Sequence, residues 1–298
     1  MDKIYVSIAS YKDKELVDTV YSLLRRAKMP QNVFVSIFSQ DEVHPELENI
    51  FALFGVKDFS YEKVHFSEAK GVGYARSKTQ EKLSLDFKYY MQVDSHTRFI
   101  QDWDDIVVSE YKESQSFWKT PIIFSSYPIP YIYDKYGNEV ISAKEEANIV
   151  DIQMVESFEK YQANYHSKEI ANSGELHPHF CAGFVFGLSE YMLKVPYDSG
   201  IYFIGEEHTM SVRFFCHGIN IIAPRRSYVY HHYYGEKTRE KHWEIDPGWG
   251  EYEKASVERV KRFFLFEELD GYGIVDKDRF SLWEKTFLSD NKNKAELE

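Results

Sequence analysis

The chain reads as an α/β protein with a mostly parallel central sheet and helices on both faces. Three observations predict this. Short apolar runs alternate with helix-period stretches through the first hundred residues. The intervening stretches are long enough for right-handed crossovers between parallel strands. Residues able to bind ligands stand just past the ends of two of the runs, where sheets of this kind hold their ligands.

Taken in order, Ile4 to Ser10 is a strand and Leu16 to Lys28 a helix, with Leu16, Val20, Leu23, Leu24 and Ala27 on one face. Pro30 stops that helix. Asn32 to Phe38 is a strand, Pro45 to Phe54 a helix, Tyr61 to Phe66 a weaker strand, Arg76 to Leu85 a helix, and Tyr89 to Val93 a strand. From Thr120 to His179 the periodicity fades. Pro121, Pro128 and Pro130 punctuate an aromatic segment, and Ala143 to Lys160 is charged and reads as partly helical, an insertion or acceptor-side lid. Ala182 to Leu188 is a strand, Glu206 to His217 a helix stopped by Gly218, Ile219 to Ala223 a strand, and Ala255 to Leu265 a helix. The polar tail from Ser289 is expected to fray. No repeat or linker interrupts the chain, which suits one domain with a C-terminal extension.

At 298 residues the chain can bury a substantial core. Its 43% hydrophobic and 28% charged residues are ordinary for a soluble protein, whereas the aromatic share of 17% is high. Aromatics fill cores by default, although a stacking cleft would also use them. The net charge of −12 disfavours a protein that binds nucleic acid broadly, since little counterion release is available to it. Cys181 and Cys216 match no metal spacing and read as buried thiols of a reducing compartment. The chain enters a strand at once without a leader pattern, and no apolar run approaches a membrane span, so a cytoplasmic protein is expected.

The most informative segment is Tyr89-Tyr90-Met91-Gln92-Val93-Asp94-Ser95-His96, an apolar strand ending on an acid and an imidazole two residues apart. On an extended backbone both side chains leave on one side. A carboxylate with an imidazole suits a divalent first-row ion, Mn²⁺ among them, and such an ion can hold a diphosphate. The plain alternative makes Asp94 a cap and His96 a surface residue. Ser7-Ile8-Ala9-Ser10-Tyr11-Lys12-Asp13 closes the first strand with small residues that let a ligand approach, with Asp13 reading as a helix-start residue. Gly71-Val72-Gly73-Tyr74-Ala75-Arg76 is no dinucleotide fingerprint, because it lacks the third glycine and does not follow the first strand. It offers either amides and a cation to an anion or simply a loop needing positive φ. Glu206 and Glu207 open a helix, where acids favour the dipole, and one of them could also face a sugar or acceptor hydroxyl. Adjacent helical residues point about 100° apart, so they are poor candidates for opposed hydrolytic carboxylates. His231 and His232 each offer an imidazole that could complete a metal site, or a hydrogen-bonded core residue. No Gly-x-Ser-x-Gly elbow, Walker loop or paired cysteine nucleophile occurs.

A larger pattern joins these pieces: Ser7-Ile8-Ala9-Ser10-Tyr11, Gln40, Ala75-Arg76, Gln92 to Phe99, Trp103-Asp104, Ala182-Gly183-Phe184, Val195 to Asp198, Phe203 to Glu207, Arg213 and His232-Tyr233-Tyr234. In this order, over residues 4–245, the chain resembles the cytosolic glycosyltransferases that attach N-acetylglucosamine to hydroxyproline of the ubiquitin-ligase subunit Skp1, with their bacterial and viral relatives. The resemblance implies a type A glycosyltransferase fold over 1–245, with a nucleotide-binding half (1–119) and an acceptor half (120–245), followed by a helical extension (246–298). It implies retaining transfer of GlcNAc from a UDP-sugar to a hydroxyl acceptor, possibly a protein, dependent on Mn²⁺ or Mg²⁺. Carried over, Asp94, His96 and His232 would hold the metal, with His231 the rival to His232. Ala9, Ser10, Tyr11, Gln40, Arg76, Gln92 and Asp94 would line the nucleotide-sugar site, and Glu206 and Glu207 would act on sugar or acceptor. Lys12 stands where relatives often have arginine, a point charge in place of a fork. A silent carbohydrate- or protein-binding module on the same scaffold, and a transferase acting on hydroxymethylated nucleobases, are the rival readings.

Overall fold

The computed structural model describes residues 2–41, 44–141, 148–154, 163–169, 176–177, 179–233 and 240–287. Its amino-terminal half runs β1 (Ile4–Tyr11), α1 (Leu16–Arg26), β2 (Val33–Gln40), α2 (Glu46–Leu53), β3 (Phe59–Val64), α3 (Val72–Thr79), β4 (Tyr89–Asp94), β5 (Thr97–Phe99) and α4 (Trp103–Phe117). The chain continues through β6 (Ile122–Ser125), β7 (Ile129–Tyr133), β8 (Glu139–Ile141), β9 (Asn148–Met154), β10 (Ala163–Glu169), β11 (Phe184–Leu188), α5 (Ser189–Lys194), α6 (Glu206–Cys216), β12 (Asn220–Ile222) and β13 (Val229–His231). Three helices close it: α7 (His242–Ile245), α8 (Trp249–Phe264) and α9 (Lys277–Phe287).

Seven strands form the main sheet in the order β12-β6-β11-β4-β1-β2-β3. Only β11 runs antiparallel to its neighbours, so the expected mostly parallel sheet is present. Residues two apart on β1 share a face. Ile4, Val6 and Ile8 therefore enter one core, with Leu16, Val20, Leu23 and Leu24 of α1, Leu47 and Phe51 of α2, and Trp103 and Val107 of α4. Tyr5 faces the opposite core, with Tyr90, Phe180, Val185, Met210 and Phe214. Each fully buried aliphatic or aromatic side chain here is worth about 1.5–3 kcal/mol, which is why α1 needs no side-chain cap to hold its place. The carboxylate of the buried Asp104 accepts the amides of Lys28 and Met29, fixing the turn that leaves α1.

The departures from the sequence reading have physical causes. α3 starts at Val72, four residues before the expected Arg76, because Gly73 lets the helix sit on a neighbouring loop. A Cβ at Gly73 would clash with the carbonyl oxygens of Ile201 and Asp198, the latter at 2.7 Å. The segment from Ala143 to Lys160, read as partly helical, contains strand β9, which pairs antiparallel with β10; residues 142–147 and 155–162 lie outside the described residues, as does the tail. A four-stranded sheet, β5-β13-β7-β8, has no counterpart in the sequence reading. Gly218 does stop α6, in a left-handed conformation (φ 77°). The extension docks on α6 through a third core made by Val212 and Phe215 with Val260, Phe263, Phe264, Phe280 and Trp283. Among the described residues no helix is long and apolar enough to cross a membrane.

Gly73→Ala is expected to cost about 1–3 kcal/mol of stability, because backbone on both sides cannot retreat from an added methyl. Urea unfolding of the variant checks this, and an unchanged midpoint would contradict the close seat of α3.

Candidate metal centre

Two strand pairings bring the central residues together. β4 lies beside β1 with Asp94 opposite Ala9, so Asp94 leaves the main sheet next to Ser10. The chain then turns through Ser95 and His96 into β5, and β13 pairs antiparallel with β5, setting His231 opposite Thr97. The outcome is one carboxylate and two imidazoles, from Asp94, His96 and His231, whose donor atoms all lie within 4.8 Å of one another. His231 Nε2 is 3.1 Å from Asp94 Oδ2, and the two imidazole rings are 4.3 Å apart between centroids.

This corrects the choice between the doubled histidines. His231, the rival, joins Asp94 and His96, whereas His232 does not. Successive residues of an extended strand point to opposite faces. His232 stacks on Tyr131 at 5.1 Å and meets the edge of Tyr133 instead. Its backbone N–H donates to the His96 carbonyl at 3.1 Å, which locks the register that selects His231.

Asp13 takes a part that its reading as a helix-start residue missed. It is 3% exposed, and its Oδ2 lies 2.6 Å from both Ser95 Oγ and His96 Nδ1. A carboxylate on one imidazole nitrogen fixes the tautomer and leaves Nε2 with its lone pair. The signal in the sequence was its place just past the first strand, but nothing there aimed it at His96, 83 residues on.

Arg76 stands behind Asp94. Its guanidinium donates to Asp94 Oδ1 at 2.8 Å and to Glu206 Oε1, with 7% of the side chain exposed. Burial pushes the Asp94 carboxyl up. The hydrogen bond from His231 and the charges of Arg76, His231 and His96 outweigh that and hold it well below the usual carboxylate range. An ionised carboxylate with two imidazoles is a donor set that fits a divalent first-row ion.

The carboxylates of α6 diverge, as helix geometry requires. Glu206 faces Arg76, whereas Glu207 accepts the Ala182 N–H at 2.7 Å and the Tyr127 hydroxyl at 2.9 Å. Burial and the neighbouring Glu206 raise the Glu207 carboxyl to about 7, against the lowering effect of those two donors. Tyr127 is a contact that the sequence did not flag.

Beside the metal group, the carboxyl ends of β1 and β2 carry buried polar atoms with no hydrogen-bond partner among the described residues: Ser10 Oγ, Tyr11 Oη, Ser39 Oγ and Gln40 Oε1. Parallel pairing sets Ser10 beside Ser39 on one face of the sheet and Tyr11 beside Gln40 on the other, the face that Ala9 and Asp94 share. Buried polar groups are normally satisfied, and such atoms are what a polar ligand would complete. Gln92, also assigned to the nucleotide site, is instead 1% exposed, and its amide binds the Ala182 carbonyl, Tyr197 Oη and Tyr90 Oη. It lies beneath the site as support. Of the glycine-arginine segment, the Val72 amide donates to the Tyr202 carbonyl at 2.7 Å and is not offered to an anion. Lys12 pairs with Glu240 and lies 4.3 Å from the Phe66 ring centroid.

The architecture is that of the type A glycosyltransferases. The solved structure of GalNAc-T7 with UDP, GalNAc and Mn²⁺ superimposes with a TM-score of 0.60 at 15% identity, over 97% of this chain and 55% of that one. Residues 1–349 of S. aureus TarS in complex with UDP-GlcNAc give a TM-score of 0.47 at 11% identity, over 96% of this chain and 80% of that one. The chain thus spans about half the length of GalNAc-T7. No curated protein matches it. The model of the Glycosyltransferase (GlcNAc) family matches residues 3–50 and 52–278, and the chain belongs to that family.

Two measurements probe this geometry. Asp13→Asn should weaken Mn²⁺ binding by about 10–100-fold, the usual cost of losing the group that orients a histidine ligand; unchanged affinity would remove Asp13 from that role. Glu207 titrates higher in the folded chain than its ordinary 4.5, so its contribution to stability is fully present below about 4.5 and is lost as pH rises through about 7. Urea midpoints compared at pH 4.5 and 8 should therefore fall less in Glu207→Gln than in the wild type. Equal falls would mean that Glu207 is not the responsible group.

Proposed function

We propose that this glycosyltransferase moves GlcNAc from UDP-GlcNAc to a hydroxyl acceptor with retention at the anomeric carbon. The observation that carries the reading is the convergence of Asp94, His96 and His231 at a strand end whose neighbours carry the unpartnered Tyr11 and Gln40 on the same face. The first group has the donors for a divalent ion, and Tyr11 and Gln40 offer a hydroxyl and an amide oxygen to a nucleoside. Family membership and the UDP, GalNAc and Mn²⁺ in the solved structure of GalNAc-T7 support the same assignment.

Asp94, His96 and His231 would hold Mn²⁺ or Mg²⁺, which when bound supplies positive charge for the departing diphosphate. Asp13 keeps His96 in the ligating tautomer. Arg76 keeps Asp94 ionised. Glu206 is held by Arg76, and Glu207 would meet the sugar or acceptor hydroxyl. In the retaining step the bond from the anomeric carbon to the phosphate oxygen breaks. The acceptor oxygen bonds to that carbon from the same face and passes its proton to the leaving phosphate oxygen. A protein hydroxyproline, as in the Skp1-directed relatives, is the acceptor that the sequence resemblance favours. A cytosolic setting fits the two free, buried cysteines.

Calorimetry of UDP with and without Mn²⁺ tests the proposal. Mn²⁺ should tighten UDP binding at least about tenfold, a difference of about 1.4 kcal/mol. Asp94→Ala and His231→Ala should abolish that gain, and His232→Ala should keep it. Metal-independent binding in the wild type would sink the reading, and loss of the gain in His232→Ala but not in His231→Ala would reverse the ligand choice. Slow UDP release from UDP-GlcNAc without acceptor separates an enzyme from a silent binding module.

A further inference from the structure

We infer that Arg259 and Ser256 of α8 are positioning residues for the Arg76–Asp94 pair, which makes the C-terminal extension part of the site; the inference rests on the functional reading above. The loop from Asp198 to Gly205 joins α5 to α6 and is held by α8 at both ends. At its start, Arg259 Nε donates to Asp198 Oδ2 at 2.7 Å, with Asp198 6% exposed. The arginine lies against Gly200 so closely that a Cβ there would meet Arg259 Cδ at 2.7 Å, and its Nη2 reaches the Leu269 carbonyl at 3.3 Å. At its end, the fully buried Ser256 accepts the Tyr202 N–H at 3.0 Å and donates to the Ile204 carbonyl at 3.5 Å.

What rests on this loop is the first turn of α3. The Tyr202 carbonyl accepts the Val72 amide at 2.7 Å, and Gly73 abuts the carbonyls of Asp198 and Ile201. One turn further along α3 is Arg76, which reaches Asp94. Its second partner, Glu206, follows Ile204 by two residues and opens α6. Both the seat of Arg76 and one of its two carboxylates are thus set by a loop whose shape α8 dictates.

A purely structural role for α8 makes a different prediction. Val260, Phe263 and Phe264 already dock the helix on Val212 and Phe215 of α6, so attachment does not need Arg259. Removing the guanidinium should leave the helix docked and let the loop, and α3 with it, shift. A displacement on the order of 1 Å in such a constellation is enough to cost about 100-fold in function.

The experiment is UDP calorimetry in Mn²⁺ on the full chain, with thermal unfolding alongside. Arg259→Ala should weaken UDP at least about tenfold, Arg259→Lys should recover part of the loss through a single bond to Asp198, and Arg225→Ala, which breaks an exposed pair with Glu113, should change nothing. In an Arg76→Lys background, Arg259→Ala should add less than about twofold, because the two act on one path, whereas independent effects would multiply. Wild-type chain that fails to bind UDP in Mn²⁺ overturns the functional reading and this inference together. Wild-type binding with equal affinity in Arg259→Ala, or full multiplication in the double variant, overturns this inference alone.

Discussion

The guanidinium of Arg76, almost wholly buried, joins a carboxylate at the end of a sheet strand to one at the start of a helix from the opposite half of the chain. Charges removed from water are tolerable only when paired and hydrogen-bonded, and breaking one side of such a pair leaves an uncompensated buried charge. The positions of α3, β4 and α6 are therefore coupled. This coupling holds Asp94 in its ionised form, the state in which a carboxylate can bind a cation, with its other oxygen turned to His231.

The two sheets divide the labour. The main sheet supplies Asp94 and, on its neighbours β1 and β2, the unpartnered Tyr11 and Gln40 on the same face, with Ser10 and Ser39 on the other. The small sheet supplies the second imidazole through the pairing of β13 with β5. Asp13, in the loop that leaves β1, crosses between them to His96.

Much of this was legible in the chain. The strand–helix alternation through residue 93 rests on local periodicity and composition, which the fold leaves intact, and the ends of β1 and β4 were marked by a change from apolar to polar residues. The i, i+2 spacing of Asp94 and His96 was informative because a strand end has few ways to orient two side chains. The parts not legible were those decided by pairing between distant segments. Glu206 announced itself as a helix-start acid, yet its contact with Arg76, 130 residues earlier, has no local trace. The same holds for Tyr127 on Glu207. Gln92 entered with the resemblance, and only the three-dimensional neighbourhood shows its amide bonded to the Ala182 carbonyl, Tyr197 and Tyr90.

By itself, then, the sequence determined the class of fold, the strand that carries the first two metal-type ligands, and the family resemblance, because each is written in short-range pattern and residue order. The tertiary structure alone placed His231 rather than His232 beside Asp94 and His96, and brought Asp13, which also accepts the Glu15 amide at the start of α1, to His96. The reason is common to both. Side-chain direction at a strand end depends on register with a partner strand or loop, and that register is set by packing between segments far apart in the chain, 83 residues for Asp13 and His96.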